Sequence, residues 1–461
     1  MIIGSNYIRG HYALYYIKYL LVFFFLILIL NIYLSLNSYS ILALSLCIVT
    51  FLNLLEELNK EIAIRGLIAF IYSFQLLFGP VLSFIYLPNW DYYSIPVSEA
   101  EYFSFAIPAI IALIIGLYLP ISKEKFSFEI LSAVKKYLAD KEKVALVLIG
   151  IGFISSYLVK VVPGGLAFFF YLLKNLKFIG VFYLFYSESN KKTTLFFLVF
   201  GLLAINAVTS SMFHDLILWM VFVAMLLTLT KKVHFIIKLS AAIIGFFVLF
   251  LVQSVKGEYR NALWFGNIPP GQETEFFQGL IEERISDMSI LFSDKSINGF
   301  IYRINQGWIV GNVMYHVPTY EPYANGETIV SGVSASILPR FLNPDKYVAG
   351  GKEYFSRFSG LTLTEGTSMN ISPLGEAYGN FGSSGGIIFM FVFGMIFNII
   401  LATIYKLARF HPSLILWLPL IFLQVVKAET DFTTVFNHLV KACFVTWLLY
   451  KSFPFFLKLK L

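Results

Sequence analysis

Apolar runs long enough to cross a membrane alternate with short polar breaks along most of the chain. Twelve such runs lie near 17–36, 39–55, 66–87, 102–121, 143–162, 167–187, 193–212, 214–230, 234–255, 385–407, 413–428 and 432–452. Each approaches the roughly 20 residues that a helix needs to span a bilayer. The runs at 39–55 and 413–428 are short, and 167–187 carries Lys174 and Lys177. One interval breaks the rhythm: 257–384 is polar and Gly-rich, and its apolar positions return at helical spacing instead of in unbroken runs. In 274–292, Phe277, Leu280, Ile281, Ile285, Met288 and Leu291 predict one amphipathic helix. In 299–316, Phe300, Ile304, Trp308 and Met314 predict a second with those residues packed inward, and 327–338 predicts a third, stopped by Pro339. Pro269-Pro270 and Asn343-Pro344 mark turns. The pattern therefore predicts an all-α, polytopic helical membrane protein of about twelve transmembrane helices. Nine spans fall in 1–256, a loop of short amphipathic helices in 257–384, and three spans in 385–461. The loop is too short for a large independent catalytic domain but long enough to cap the bundle.

Charge orients this arrangement. One alternate set of loops collects the cations, among them Arg9, Lys18, Lys60, Arg65, Lys135, Lys136, Lys191, Lys192, Lys231, Lys232, Lys406, Arg409 and Lys451. The other set, around Asn37, 88–99, 163–165, His214 and 429–431, is poor in Lys and Arg. The positive-inside rule then places both termini in the cytoplasm and 257–384 outside. Composition agrees: of 461 residues 58% are hydrophobic, 13% are charged and 49 are Phe. The net charge of +7 is no nucleic-acid signal, because the loop itself holds eight Lys and Arg against 13 Asp and Glu. Cys47 and Cys443 fall in apolar runs and read as small buried hydrophobes. No secretory cleavage is expected after the first run.

Candidate chemistry concentrates in the loop. It holds five of the eight arginines (Arg260, Arg284, Arg303, Arg340, Arg357) but three of the 26 lysines. Arginine grips phosphate in a fixed, forked geometry. Lys256, Glu258 and Arg260 stand where the ninth run ends and point the same way if the chain there is extended; the competing reading is a pair of cations snorkelling to the interface. Arg303 follows Tyr302 on a predicted helix. The segment 337–346, ILPRFLNPDK, presents Arg340, Asp345 and Lys346 together, which suits an oxyanion or a solvated surface turn. The segment 372–386, SPLGEAYGNFGSSGG, begins with Ser372 as a predicted N-cap and Pro373 at the first helical position. Gly375 occupies the place where a capping box needs Glu or Gln, so the cap leaves Glu376 unexplained. Glu376 and Asn380 share a helix face, with Gly375, Gly379 and Gly382 close by to admit a neighbour. A carboxylate at the mouth of a span is a functional candidate, against the alternative of one held by the helix dipole. Lys427, Glu429 and Asp431 form a cluster in which mutual ion pairing is expected. His316 reads as a structural hydrogen-bonder. Neither an HExxH motif nor a DxD pair, P-loop or dinucleotide fingerprint occurs, so no metal site, nucleotide or other cofactor is expected.

These features, in this order, resemble the Wzy-type O-antigen and oligosaccharide repeat-unit polymerases of bacterial surface polysaccharide assembly. The resemblance lies in LPRFLNPDK and in SPLGEAYGNFG running straight into the next span, and covers roughly 250–400. Arg-x10-Gly patterns at Arg260–Gly271 and Arg340–Gly351 add to it weakly, since glycines abound there. The resemblance implies a GT-C-like membrane glycosyltransferase of the bacterial inner membrane. Donor and acceptor would be glycans linked to undecaprenyl pyrophosphate, with membrane lipids, a chain-length regulator and a flippase as partners and no nucleic acid. An acceptor hydroxyl would attack the donor's anomeric carbon and lipid pyrophosphate would leave. Lys256, Arg260, Arg303, Arg340 and Lys346 would then clamp pyrophosphate. Glu376, beside Arg340, would receive the proton or orient the hydroxyl. Tyr259, Tyr302, Tyr378 and Asn380 would meet sugars, although in so aromatic a chain tyrosines are commonly core. An O-antigen-ligase-type glycan transferase shares this architecture but would need a histidine essential to transfer in the loop. A lipid-linked-oligosaccharide flippase would need similar halves and polar residues at the midplane of many spans.

Overall fold

The computed structural model describes residues 3–122, 126–337, 351–364 and 367–461, with side chains placed for all of these except 3–16 and 164–165. Among the described residues every regular element is a helix. Eight helices are long and apolar enough to cross a membrane: Ser38–Glu57, Ile64–Tyr86, Glu99–Tyr118, Leu166–Tyr186, Lys192–Thr209, Phe235–Trp264, Ser372–Ala408 and Phe432–Leu457. The chain is a membrane protein on that ground. The other four expected runs coincide with shorter helices: Ile17–Tyr33, Glu142–Leu158, His214–Thr230 and Pro412–Ile421. The last is not one continuous α-helix. Residues Pro412–Trp417 form a 3-10 helix, Leu418–Ile421 a single α turn, and 422–426 turns. Pro412 and Pro419 interrupt the ladder, and the segment is buried almost throughout. Irregular backbone at membrane depth is tolerated where protein surrounds it.

Ser372–Ala408 and Glu99–Tyr118 pack most closely, because glycine allows their backbones to touch. A Cβ on Gly394 would lie 2.3 Å from the Leu113 carbonyl oxygen, and one on Gly116 would lie 2.3 Å from that of Phe391. One turn further on, the Asn398 amide donates to the Gly116 and Leu119 carbonyls at 3.1 and 2.8 Å. Its oxygen accepts from Arg65 at 3.1 Å, which ties in a third helix.

That third helix carries the docking point for the polar segment. Residues Phe74–Phe78 form a π turn, a distortion that loosens the helical hydrogen-bond ladder. The Gln75 carbonyl accepts from the Gln306 N–H at 3.0 Å, and the Leu76 carbonyl from the Tyr102 hydroxyl at 2.9 Å. Gly79 lets Ile304 and Asn305 approach, since a Cβ there would stand 2.7 Å from the Ile304 oxygen.

Helix passes through both edges of the expected loop. Phe235–Trp264 continues beyond 257, and Ser372–Ala408 begins well before 384. Between them lie Glu273–Ser286, Met288–Leu291, Asp294–Ile304, Gly307–His316, Glu327–Ile337 and Lys352–Ser359. Two of the three expected amphipathic helices are each broken in two. Asp287 leaves helical geometry and its carboxylate accepts from Ser289 N at 2.9 Å, starting a new helix. Asn305 turns extended ahead of the Gln306 contact. Ile304, Trp308 and Met314 are buried as expected, whereas Ile285 and Met288 are exposed.

Gly394→Ala should cost about 1–3 kcal/mol by overpacking a backbone contact that cannot yield. Gly201→Ala, with open space around it, should cost nothing. Thermal unfolding in detergent compares the two.

Candidate functional site

Phe235–Trp264 is helical through Glu258, so the extended geometry that would point Lys256, Glu258 and Arg260 the same way is not present. Lys256 and Arg260 share a face as an i, i+4 pair, while Glu258 turns to Arg284. Lys256 and Arg260 line a cavity of about 1090 Å³, and Arg303 joins them from Asp294–Ile304, the helix ended by the Asn305 turn. Lys256 is only 8% exposed, yet it has no hydrogen-bond or ion-pair partner among the described residues, and neither has Arg303. Arg260 donates to the Ser211 carbonyl at 3.3 Å and lies over the Trp264 ring at 4.9 Å, but its buried Nε is unpartnered. Three cations thus converge without a carboxylate in ion-pair contact. Like charges on one cavity repel, so a bound anion would stabilise the site.

The remaining arginines divide cleanly. Arg284 is neutralised by Glu258 and Glu283 at 2.8 and 2.9 Å. Arg357 holds Glu321 at 2.5 Å and grips Glu327 with both terminal nitrogens at 3.0 and 3.1 Å. Both are braces between segments. Arg340 and Lys346 lie outside the described residues.

Glu429 supplies a carboxylate to the same cavity. Burial alone would raise its pKa, but His214, Arg303, Lys427 and Lys256 outweigh that and hold it below the usual carboxylate value. The expected mutual pairing of Lys427, Glu429 and Asp431 is replaced by outward pairing. His214 Nδ1 stands 3.2 Å from Glu429 Oε1, and Lys427 donates to Asp215 at 3.3 Å. Asp431 caps Phe432–Ser452 through Thr434 N at 2.6 Å. Alternating single charges on a short turn reach different neighbours, so spacing in sequence did not give the partners. His214 carried only the signal of a histidine-aspartate pair opening an apolar run.

Glu376, Asn380, Tyr259 and Tyr378 are not brought to this cavity, because their polar atoms or faces serve the fold. Ser372–Ala408 kinks at Gly382, where φ is +64° and only glycine is at ease. The break leaves the Gly379 and Asn380 carbonyls to accept from Ala324 N and Asn325 N, both at 3.0 Å. Glu376 is fully buried. It accepts from the Thr328 hydroxyl at 2.6 Å and from Phe432 N at 2.8 Å, bracketing three helices. The Asn380 amide donates to Thr328 at 2.7 Å and its oxygen accepts from Gly326 N at 3.0 Å. Tyr259 is buried against Phe276 and Phe277 with its hydroxyl on the Val208 carbonyl at 3.0 Å. Tyr378 packs on Phe105. Ser372, expected as the N-cap, is instead the first residue of its helix, behind Ile371, and its Oγ accepts from Leu374 N at 3.3 Å. His316 stacks on Tyr320.

Beside the charged cavity is an apolar slot of about 540 Å³ lined by nine phenylalanines, including Phe246, Phe250, Phe292 and Phe300. One stripe of Phe235–Trp264 serves both: Phe246 and Phe250 face the slot, then Gln253, Gly257 and Arg260 face the cavity. Asp294–Ile304 does likewise, with Phe300 on the slot and Arg303 on the cavity. Among the described residues no group of three His, Cys, Asp or Glu is arranged to hold a metal.

The sequence pattern that defines a domain of unknown function (DUF8712) matches residues 96–450, and the chain belongs to that family. No curated protein and no solved structure matches the chain.

Removing the Glu376 carboxylate leaves the Thr328 hydroxyl and the Phe432 N–H buried and unpaired. Glu376→Ala should therefore destabilise the protein by about 1–3 kcal/mol for each group left unsatisfied and lower its membrane abundance, while Glu376→Gln should fold nearly as well. Unfolding temperature and immunoblots of membranes measure both.

Proposed function

We propose that the chain is a membrane glycosyltransferase that joins oligosaccharide repeat units carried on undecaprenyl pyrophosphate. It does so at the outer face of the bacterial inner membrane, in surface polysaccharide synthesis. One observation carries this reading: Lys256, Arg260 and Arg303 converge on a single cavity with no carboxylate in ion-pair contact among the described residues, beside a phenylalanine-lined slot. A lipid with a diphosphate head and an isoprenoid tail matches both compartments. In this reading all twelve apolar runs cross the membrane, both termini are cytoplasmic, and the segment between Trp264 and Ser372 lies outside, consistent with the lysine-rich alternate loops.

The chemistry asks little of the protein beyond placed charge. Pyrophosphate is a good leaving group, and the negative charge that develops on its bridging oxygen meets guanidinium groups that stay protonated throughout. The acceptor hydroxyl attacks the anomeric carbon from the open cavity, and the departing lipid keeps its tail in the slot. Arg340 and Lys346 belong to the clamp in this reading on the strength of the sequence resemblance alone.

Purified protein in liposomes, supplied with its lipid-linked repeat unit, should build a ladder of longer glycans. Arg303→Ala or Arg260→Ala should slow ladder growth by about 100-fold or more, the scale seen when one placed donor is removed. No ladder from the wild type, or transfer only to a lipid A core, would overturn the polymerase assignment; the second result would make the protein a ligase.

An impermeant thiol reagent added to spheroplasts should label Lys295→Cys and spare Lys136→Cys, both of which are exposed positions. The reverse pattern would invert the topology.

A further inference from the structure

The reaction above still needs a group to take the acceptor's proton, and Glu376 is enclosed far from open space. Glu429 is the buried-side alternative. It lines the cavity with Lys256, Arg260 and Arg303, and its side chain keeps 22% exposure, so one face remains open to a ligand. Its other face is fixed. His214 Nδ1 stands 3.2 Å from Oε1, and the Nε2 of that imidazole is buried with no partner. Glu258, the other carboxylate on the cavity among the described residues, is engaged by Arg284 at 2.8 Å.

We propose that Glu429 is the catalytic base of this site, accepting the proton of the acceptor hydroxyl, and that His214 is the positioning residue that aims its carboxylate. The inference rests on the glycosyl-transfer reading. The acceptor O–H bond breaks as its oxygen bonds to the donor's anomeric carbon. That carbon's bond to the pyrophosphate oxygen breaks, and the electron pair leaves with the lipid pyrophosphate toward Lys256, Arg260 and Arg303. The proton passes to Glu429 and then to water in the cavity. The neighbouring groups keep this base ionised: His214 on one helix, Arg303 and Lys256 on two others, and Lys427 on its own turn, while the Asp215 carboxylate beside His214 is taken up by Lys427 at 3.3 Å. A base held in its ionised form is weak, which suits a reaction whose leaving group departs early and whose nucleophile surrenders its proton late. The turn 427–431 brings Glu429 to the cavity because Lys427 is anchored on Asp215 at 3.3 Å and Asp431 caps the next helix.

Steady-state kinetics in the liposome assay test this. Glu429→Gln keeps the side chain's size and should lower kcat about 100-fold or more, the usual scale for a base, with KM for the lipid-linked repeat unit within twofold of wild type. Glu429→Asp should recover part of the rate. His214→Ala should lower kcat, and His214→Asn, which can still donate to the carboxylate, should restore much of it. Size-exclusion profiles should match wild type for each variant. A Glu429→Gln enzyme at wild-type kcat, or one whose loss lies wholly in KM, overturns the assignment while leaving the polymerase reading intact. A wild type that forms no ladder removes both.

Discussion

Positive charge gathered without a contact ion pair is the constraint around which this cavity is arranged. Lys256 and Arg260 from one helix and Arg303 from another line one cavity with no carboxylate in ion-pair contact among the described residues, although Glu283, Glu321 and Glu327 pair with other arginines. A fold that pairs Arg284 and Arg357 so fully has the acidic residues to pair the rest. Leaving three cations open costs stability unless an anion visits, and a multiply charged anion repays most.

The surrounding structure serves to keep those charges in register. The π turn at Phe74–Phe78 receives Gln306, which fixes the end of the helix that bears Arg303. Helix Phe235–Trp264 runs unbroken from the phenylalanine slot to Arg260, so the slot and the charged cavity share one rigid wall. The Glu376 bracket joins Thr328 to the start of Phe432–Ser452 and so sets the turn that carries Glu429. A residue that looked chemical from sequence is, in the structure, part of the frame.

Much of the fold was legible in the order of residues, and the reasons are physical. Long apolar runs have few alternatives to a helix in a membrane, and eight of the twelve expected runs coincide with helical segments long enough to cross one. The breaks at Asp287 and Asn305 were not legible, because apolar spacing alone carries on across them; only the caps and the Gln75 contact end those helices. The irregular path of 412–426 was signalled by Pro412 and Pro419 but read as a plain span. In the site, arginine enrichment pointed to Arg260 and Arg303, yet sequence could not separate them from the braced Arg284 and Arg357. That distinction depends on which carboxylates the fold brings near. Glu429 was obscured for the same reason, since its partner lies on a distant helix.

Native mass spectrometry of the purified protein titrated with an isoprenoid pyrophosphate addresses the cation cavity most directly. Wild type should bind one or more pyrophosphate lipids in preference to the same lipid bearing a hydroxyl head, and the Lys256→Ala, Arg260→Ala, Arg303→Ala triple variant should lose that preference. Equal binding of the two lipids by wild type, or an undiminished preference in the triple variant, would contradict the assignment of these three residues to a diphosphate headgroup.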